Sequence, residues 1–285
     1  MSTIPFVKTQ SIGNDFVLFR EEDVQRTDLA ALSRIVCARH FGIGSDGILV
    51  VGLGPQGVTL RMFNPDGTED FCGNGLRCAG LFASRRGLAS TEFTIRHGGL
   101  DIPTTVNPNG NVSIVLPPAD FRPAKVPVLS QSEFIDEVVQ GFRGTAVSTG
   151  SAHFVTLVES LPDDEVFFKA GPAIEHDPLF PEHISTMFTT QIGEAHLQLR
   201  IWERGAGETL GCGTGSAAAA VVWARKKGHK GRVTVSNPGG DVLVEITDWT
   251  EPVVSETKPE LVFEGEFDFS RLAQAAGVTN RAILA

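Results

Sequence analysis

The chain has 285 residues, of which 41% are hydrophobic and 20% charged, the make-up of a globular protein with room for one large core or two modest ones. A formal net charge of −10 argues against nucleic acid as a partner, because a surface that tracks phosphates is basic. No apolar run approaches the ~18 residues needed to cross a bilayer, "MSTIPFVKTQ" carries no secretory signal, and the four cysteines read as thiols, so the expected compartment is the cytoplasm.

Taken in chain order, "SIGNDFVLF" (11–19) is strand-like, and "LAALSRIVCARHF" (29–41) reads as a helix. "GIGSDG" (42–47) then satisfies G-x-G-x-x-G on paper, but a helix precedes it and the strand-like "ILVV" follows. A dinucleotide site needs the reverse order, so none is expected. "VTLRMF" (58–63), "TEFTIRH" (91–97) and "NVSIVL" (111–116) are short, rich in branched and aromatic residues, and read as strands. Between the first two lies "GTEDFCGNGLRCAG" (67–80), from which a helix is predicted to run from Gly73 to Arg86 and stop at Gly87. "LPPADFRPAKVP" (116–127), with four prolines, reads as a linker. Strands follow at "HFVTLV", "HLQLRIW", "RVTVS" and "DVLVEI". Among them "GETLGCGTGSAAAA" (207–220) opens a second helix that ends in Arg225, Lys226, Lys227 and Gly228. The basic run "ARKKGHKGR" (224–232) is read as the cationic end of this helix.

The order of these pieces repeats. "SIGNDFVLF" parallels "STGSAHFVTLV" (148–158), "LRMFNPDG" (60–67) parallels "LRIWERGAG" (199–207), and Cys72-Gly73-Asn74-Gly75 parallels Cys212-Gly213-Thr214-Gly215. Three collinear matches at a nearly constant offset imply a duplicated domain. The expected fold is therefore α+β: two pseudo-symmetric domains, each a strand-rich, barrel-like sheet around a central helix. Residues 1–118 with about 263–285 form the half carrying Cys72, and 119–262 the half carrying Cys212.

A cysteine at a helix start has chemical use. A free thiol ionises near pH ~8.5, and a helix N-terminus is expected to favour its anion. The Gly-x-Gly that follows leaves first-turn N–H groups able to grip a carboxylate. If the two halves face each other across a cleft, two sulfurs flank one ligand: a thiolate on one face of a carbon removes a proton while a thiol on the other face delivers one. Amino-acid α-carbons are inverted in this way, with helix dipoles and N–H donors stabilising the enediolate-like transition state and no pyridoxal cofactor required. Glu69 and Glu208 stand near their respective cysteines in sequence, and Asp15 stands near the level of His153, so each is a candidate to take a thiol proton.

Across nearly its whole length the chain resembles the diaminopimelate epimerases, cofactor-independent two-cysteine enzymes of lysine and peptidoglycan biosynthesis. The resemblance rests on "GNDF" (13–16), "GIGSDG" (42–47), "RMFNPDGTEDFCGNGLRC" (61–78), "EHDPLFPE" (175–182), "ERGAGETLGCGTGSAAAA" (203–220) and "NPGG" (237–240). It implies that Cys72 and Cys212 are the base and acid pair. Gly73, Asn74, Gly213 and Thr214 would hold the α-carboxylate, His153 and Glu203 would support the thiols and the α-amino end, and Asn14, Asn64 and Arg204 would contact substrate. Where the family usually has Gly-Asn-Pro-His, this chain has Gly150-Ser151-Ala152-His153, and Ile184-Ser185 replaces its usual Val-Asn. Ser151 and Ser185 thus stand where asparagines would hold the far end of diaminopimelate. A serine there has shorter reach and no amide N–H₂ donor.

Cys37 and Cys78 are read as small buried hydrophobes. With no CxxC or HxxxH, no metal site is expected. The expected partners are a small-molecule amino acid and a second copy of the chain, with no nucleic acid and no membrane. Four functions compete: epimerisation of diaminopimelate, the same chemistry on another amino acid such as histidine, a basic or hydrophobic amino acid or 4-hydroxyproline, amino-acid binding without catalysis, and a thiol hydrolase, which would leave the second cysteine loop unexplained.

Overall fold

Branched and aromatic residues at alternate positions become extended chain, and runs of small residues become helices that strands can close upon. The computed structural model describes residues 3–269. The chain divides into two compact units, Met1–Ile114 with the segment from Lys258 onward, and Val115–Thr257. Of the terminal stretch that sequence analysis assigns to the first half, residues 270–285 lie outside the described residues.

In the first unit the elements are β1 (Ile4–Ser11), β2 (Asn14–Arg20), α1 (Glu21–Val24), α2 (Leu29–Val36), β3 (Gly47–Gly54), β4 (Gly57–Phe63), α3 (Gly73–Arg85), β5 (Glu92–His97) and β6 (Leu100–Val106), with β7 (Val112–Leu116) at its boundary. β1–β2, β3–β4, β5–β6 and β6–β7 pair antiparallel, whereas β2–β3 and β4–β5 pair parallel, each crossing over through helix. The second unit holds β8 (Glu137–Val139), β9 (Phe142–Ser148), β10 (Ala152–Leu157), α4 (Asp164–Glu175), β11 (Ser185–Gly193), β12 (His196–Glu203), β13 (Gly207–Glu208), α5 (Gly213–Lys227), β14 (Gly231–Asn237), β15 (Gly240–Ile246) and β16 (Val253–Thr257). Here β9–β10, β11–β12, β14–β15 and β15–β16 are antiparallel, and β10–β11 and β12–β14 parallel. Apart from the two-residue β13, which pairs with β12, the two patterns are the same. β17 (Pro259–Phe267) pairs antiparallel with β1, the position that β8 takes beside β9.

Each sheet curls around one buried helix. α3 packs against β1–β6 and β17, and every residue from Gly73 to Ala83 is buried. α5 packs against β9, β10, β11, β14, β15 and β16, with Gly213 to Ala224 buried. A helix enclosed on all sides cannot be amphipathic, and the small side chains of Ala217–Ala220, Gly75 and Gly80 let the surrounding strands close to van der Waals contact. Gly228, left-handed at φ 67°, ends α5 where the sequence predicts.

Three details depart from the sequence reading. The helix expected over 29–41 stops at Val36 because the chain doubles back: the Ile43 and Gly44 N–H groups both donate to the Val36 carbonyl at 2.9 Å. Gly42 permits that turn, since a Cβ there would stand 2.3 Å from the Ile35 carbonyl oxygen. α4 is an unforeseen helix; Asp163 caps it through the Val166 N–H at 2.9 Å, but its internal Gly171-Pro172 hides the periodicity. The proline-rich stretch 116–127 is no free linker either. Asp120 exchanges two 2.9 Å backbone hydrogen bonds with Ser148, and Val126 packs into the second unit's core with Phe134 and Phe154. Among the described residues no helix is long and apolar enough to cross a membrane.

Candidate active site

Each of the two matched cysteines caps its helix with its own sulfur. Cys72 is extended (φ −139°, ψ 112°) just before α3, and its Sγ accepts the Gly75 N–H at 3.3 Å. Cys212 repeats the arrangement before α5 (φ −125°, ψ 109°), with the Gly215 N–H donating to Sγ at 3.4 Å. Caps are ordinarily hydroxyls or carboxylates; a sulfur accepts weakly as thiol and better as thiolate, so this cap tightens as the proton leaves. The donating glycine has no room for a side chain. A Cβ on Gly75 would lie 2.8 Å from Leu49 Cδ2, and one on Gly215 2.5 Å from Met187 Sδ. The Cys-Gly-x-Gly frame therefore encodes a sulfur cap and a close-packed donor.

Leu49 and Met187 also align the halves. Leu18 pairs with Leu49, and Val155 with Met187. Counting back, Asn14 stands at the level of Ser151, and it is Phe16 rather than Asp15 that stands at the level of His153. Facing these positions, Asn74 Nδ2 donates to Asn14 Oδ1 at 3.3 Å, and the Ser151 and Thr214 hydroxyls share a hydrogen bond at 3.0 Å. One polar pair beside each sulfur recurs with different side chains.

In the first unit the Cys72 thiol donates to Asn14 Oδ1 at 3.8 Å. Asn14 is oriented in turn by Asp46, which accepts its Nδ2 at 2.8 Å, the Asp15 N–H at 3.1 Å and Arg39 at 2.7 Å. Asp15 itself pairs with Lys8 and Arg39. Beneath the loop the fully buried Arg77 donates to the Gly73 carbonyl at 3.0 Å and to Asn74 Oδ1 at 3.2 Å. Asn64 lies in the neighbouring turn, where its Nδ2 donates to Thr68 Oγ1 at 3.1 Å rather than to the cysteine cluster.

In the second unit His153 Nε2 lies 3.7 Å from Cys212 Sγ and 3.5 Å from Thr214 Oγ1, and Thr214 Oγ1 lies 3.6 Å from the sulfur. The α5 cap uses the N–H groups of Gly215 and Ser216; Gly213 and Thr214 supply the other two of the first turn. Ser185 is the register partner of His153, and its hydroxyl accepts the Arg204 N–H at 3.1 Å. Arg204 Nη1 donates to the Glu182 carbonyl at 3.1 Å, and Glu203 Oε1 accepts from Thr209 at 2.6 Å. Thus Cys212, His153, Glu203, Thr214, Ser151, Ser185 and Arg204 form one neighbourhood, as do Cys72, Asn14, Gly73 and Asn74 in the other unit.

The electrostatics differ from the sequence expectation. Burial pushes the Cys212 thiol well above the ordinary value; the charge of Glu203 and its hydrogen bond with the thiol push the same way, against the Thr214 hydroxyl and the Gly215 N–H. A helix start was expected to favour the thiolate, but these two donors do not repay the desolvation. Burial also lowers His153 to about 4, with the positive charge of Arg204 adding and a hydrogen bond to the Ser151 backbone opposing. At neutral pH the pair is a neutral thiol beside a neutral imidazole. Glu203→Gln removes the anionic contribution, so the Cys212 pKa falls and alkylation by iodoacetamide at pH 8 speeds up severalfold. An unchanged or slower rate at the Cys212 peptide rejects this account of Glu203.

Glu69 and Glu208 do not serve the thiols. Glu69 is forked to Arg61 at 2.7 and 2.9 Å, and Glu208 pairs with Arg200 at 2.9 Å. The two ion pairs stand at matching places in the two halves; the exposed Arg61–Glu69 pair is worth under about 1 kcal/mol, while Arg200 is largely buried and also pairs with Asp164 at 2.7 Å.

Sequence reasoning missed four residues. Arg77 and Glu175 lie in quoted motifs but were assigned nothing. The almost fully buried Glu175 accepts Trp202 Nε1 at 2.7 Å and the Gly205 N–H at 2.8 Å, pinning the turn that carries Glu203 and Arg204. Its carboxylate and the rings of His176 and His183 bring ligand atoms within 4.8 Å of one another, the one group among the described residues with metal-ligand chemistry. The other two, His97 and Asn237, accept the backbone N–H groups of the two cysteines, at 3.0 and 3.3 Å. Their signal was a shared spacing: each follows its cysteine by 25 residues.

Comparison with known proteins gives the same picture. Residues 6–119 and 145–262 match the family described as diaminopimelate epimerase. A diaminopimelate epimerase of Moorella thermoacetica is 36% identical over 275 residues, covering 92% of this chain and 98% of the relative. One of Pelotomaculum thermopropionicum is 37% identical over 287 residues, with 93% and 99% covered. Among solved structures, a phenazine biosynthesis protein of the PhzF family from Bacillus anthracis superposes with a TM-score of 0.68 at 19% identity, over 94% of this chain and 100% of that one. A probable proline racemase from Agrobacterium radiobacter does so at 0.67 and 13%, over 93% of each chain. These two share the fold, and the closer sequence relatives decide the family. With two sulfur-capped helices in duplicated halves and a family match over both, this chain belongs to the diaminopimelate epimerase family.

Proposed function

We propose that the protein is a pyridoxal-phosphate-independent isomerase that inverts the α-carbon of an amino acid by two-base chemistry, with diaminopimelate as substrate. The observation that carries this reading is the paired cysteine caps: two thiols in identical frames, each beside first-turn N–H groups suited to a carboxylate. A binding protein without chemistry has no use for the second thiol. Curated relatives named as diaminopimelate epimerases support the substrate.

The protons balance as follows. The Cys72 thiolate takes the α-proton from one face, and the electron pair spreads into the carboxylate as an enediolate held by Gly73, Asn74, Gly213 and Thr214 N–H groups. The Cys212 thiol, kept protonated by burial and by Glu203, delivers its proton to the opposite face, and the opposite enantiomer reacts with the roles exchanged. His153 and Thr214 steady the Cys212 sulfur, and Asn14 steadies that of Cys72. Asn64 and Arg204 are assigned to the remainder of the substrate. Incubation with LL-diaminopimelate in deuterated water is the direct test: the meso product carries deuterium at the inverted α-carbon. Absence of both exchange and inversion would sink the diaminopimelate assignment.

A second reading keeps the reaction and changes the side chain. Ser151 is engaged with Thr214 and Ser185 with the Arg204 N–H, so neither presents the amide that the resemblance leads one to expect for a distal ammonium and carboxylate. Turnover of histidine, a basic or hydrophobic amino acid, or 4-hydroxyproline in a chiral chromatography panel, with diaminopimelate untouched, favours this reading. We also assign the protein to the cytoplasm, and we propose a homodimer on the strength of Val262 and Phe263, which are 54% and 50% exposed on β17; a light-scattering mass of 30.5 kDa rejects the dimer.

A further inference from the structure

The frame of Cys-Gly-x-Gly satisfies the N–H groups of the glycine and of the residue after it, but not the N–H of the cysteine itself. That group, part-buried at Cys72 and buried at Cys212, takes its acceptor from the strand that follows the central helix. Cys72 N–H donates to His97 Nε2 at 3.0 Å, from the last residue of β5. Cys212 N–H donates to Asn237 Oδ1 at 3.3 Å, from the last residue of β14. Each acceptor is itself aimed by a strand carbonyl: His97 Nδ1–H donates to Leu60 at 3.0 Å, and Asn237 Nδ2 to Val235 at 3.1 Å. His97 also stacks on Phe71, with ring centroids 4.9 Å apart and planes 20° off parallel. Ser216 Oγ donates to Asn237 Oδ1 at 3.1 Å as well. The same task is performed at equivalent places by an imidazole in one half and an amide in the other.

We propose that His97 and Asn237 are positioning residues, which set where the Cys72 and Cys212 sulfurs stand by anchoring each cysteine's backbone N–H. The proposal rests on the two-cysteine reading above. It has a consequence that symmetry alone would not give. A neutral imidazole accepts at Nε2 only while Nδ1 carries the proton; protonated, it has two donors and no acceptor left for the Cys72 N–H. An amide never loses its acceptor. The Cys72 loop is therefore released by acid and the Cys212 loop is not. Burial holds His97 below the ordinary histidine value, while the Leu60 carbonyl and the charges of Glu69 and Asp70 resist. Because the anchored form is the neutral one, the anchor is intact above pH ~6.5 and is lost as pH falls through the lowered pKa.

The test uses the full chain with His97→Phe, which keeps the ring stack but removes the acceptor, and His97→Gln, whose Oε1 accepts at similar reach and does not titrate. Deuterium exchange into the turned-over amino acid is followed from pH 4.5 to 9. In parallel, the iodoacetamide labelling rate of the Cys72 peptide is read by mass spectrometry, which needs no substrate. His97→Phe is expected to lower kcat about 10–100-fold with KM within about twofold, the size of effect a misplaced reacting group produces. His97→Gln restores most of that rate and removes from the acid limb of both exchange and labelling the additional fall that lies beyond the titration of the Cys72 thiol itself. Asn237→Leu lowers kcat similarly but leaves the acid limb in place. Wild-type kcat in His97→Phe overturns the proposal, as does a His97→Gln variant that keeps the wild-type acid limb. Should His97→Phe fail to fold, the His97→Gln profile alone decides. Failure of the underlying reading looks different: Cys72→Ala would then exchange at full rate, whatever the His97 variants do.

Discussion

Cys72→Ala and Cys212→Ala each lower the rate of inversion by roughly 10³-fold or more, within the range expected for losing a positioned acid or base. Each variant keeps the cap geometry's backbone but lacks one of the two proton carriers. In Cys212→Ala the remaining sulfur can still lift the α-proton and return one to the same face, so residual deuterium uptake goes with retention of configuration. Serine in place of either cysteine is nearly as poor, because a hydroxyl ionises far less readily than a thiol. Cys78→Ala is the control. That thiol is fully buried and pushed up to about 12, chiefly by burial, so its loss leaves kcat unchanged. The measurement is chiral analysis of product formed in deuterated water. Full inversion by either single cysteine variant rejects the two-base mechanism outright.

Gly215→Ala is expected to damage stability and rate together. The new Cβ would stand 2.5 Å from Met187 Sδ, 2.7 Å from its Cε and 3.1 Å from Cys212 Sγ. Met187 is fully buried on β11. Crowding of this kind costs about 1–3 kcal/mol, and a sulfur displaced by about an ångström costs about 10²-fold in rate. The two effects separate in the double variant Gly215→Ala with Met187→Ala. The new Cβ occupies part of the space the thioether leaves, so the two substitutions lower the melting temperature by less than the sum of the single variants, whereas the Cβ still presses on the sulfur and kcat stays low. Recovery of kcat in the double variant would show that Met187 alone sets the packing and that the glycine is not needed by the thiol.

The halves of this protein were legible because a duplication writes the same words twice. "CGNG" and "CGTG" announce a sulfur cap and a close-packed glycine at any distance along the chain, and small residues after them announce a helix meant to be enclosed. The strand pairings bear this out, crossover for crossover. Where chain order misled, the cause was a contact between segments distant in sequence. Glu69 and Glu208 look like partners of the nearest sulfur, but two antiparallel hairpin-like approaches deliver Arg61 and Arg200 to them instead. Asp15 looks level with His153 until the β2–β3 and β10–β11 registers move it by one residue. Asn64 shares a motif with Cys72, and its side chain closes a turn of its own.

Residue types, their spacing and their repetition were enough to determine the family, the doubled fold, the two matched cysteines at the helix starts and the stops of both central helices. Tertiary structure alone decided that Cys212 is held as a thiol, that His153 stays neutral beside it, and that His97 and Asn237 hold the cysteine backbones. The reason is physical. Local frame and helix propensity act through neighbours along the chain, which a sequence displays. Desolvation, charge and the acceptor of a buried N–H act through neighbours in space, and these exist only once the strands have closed.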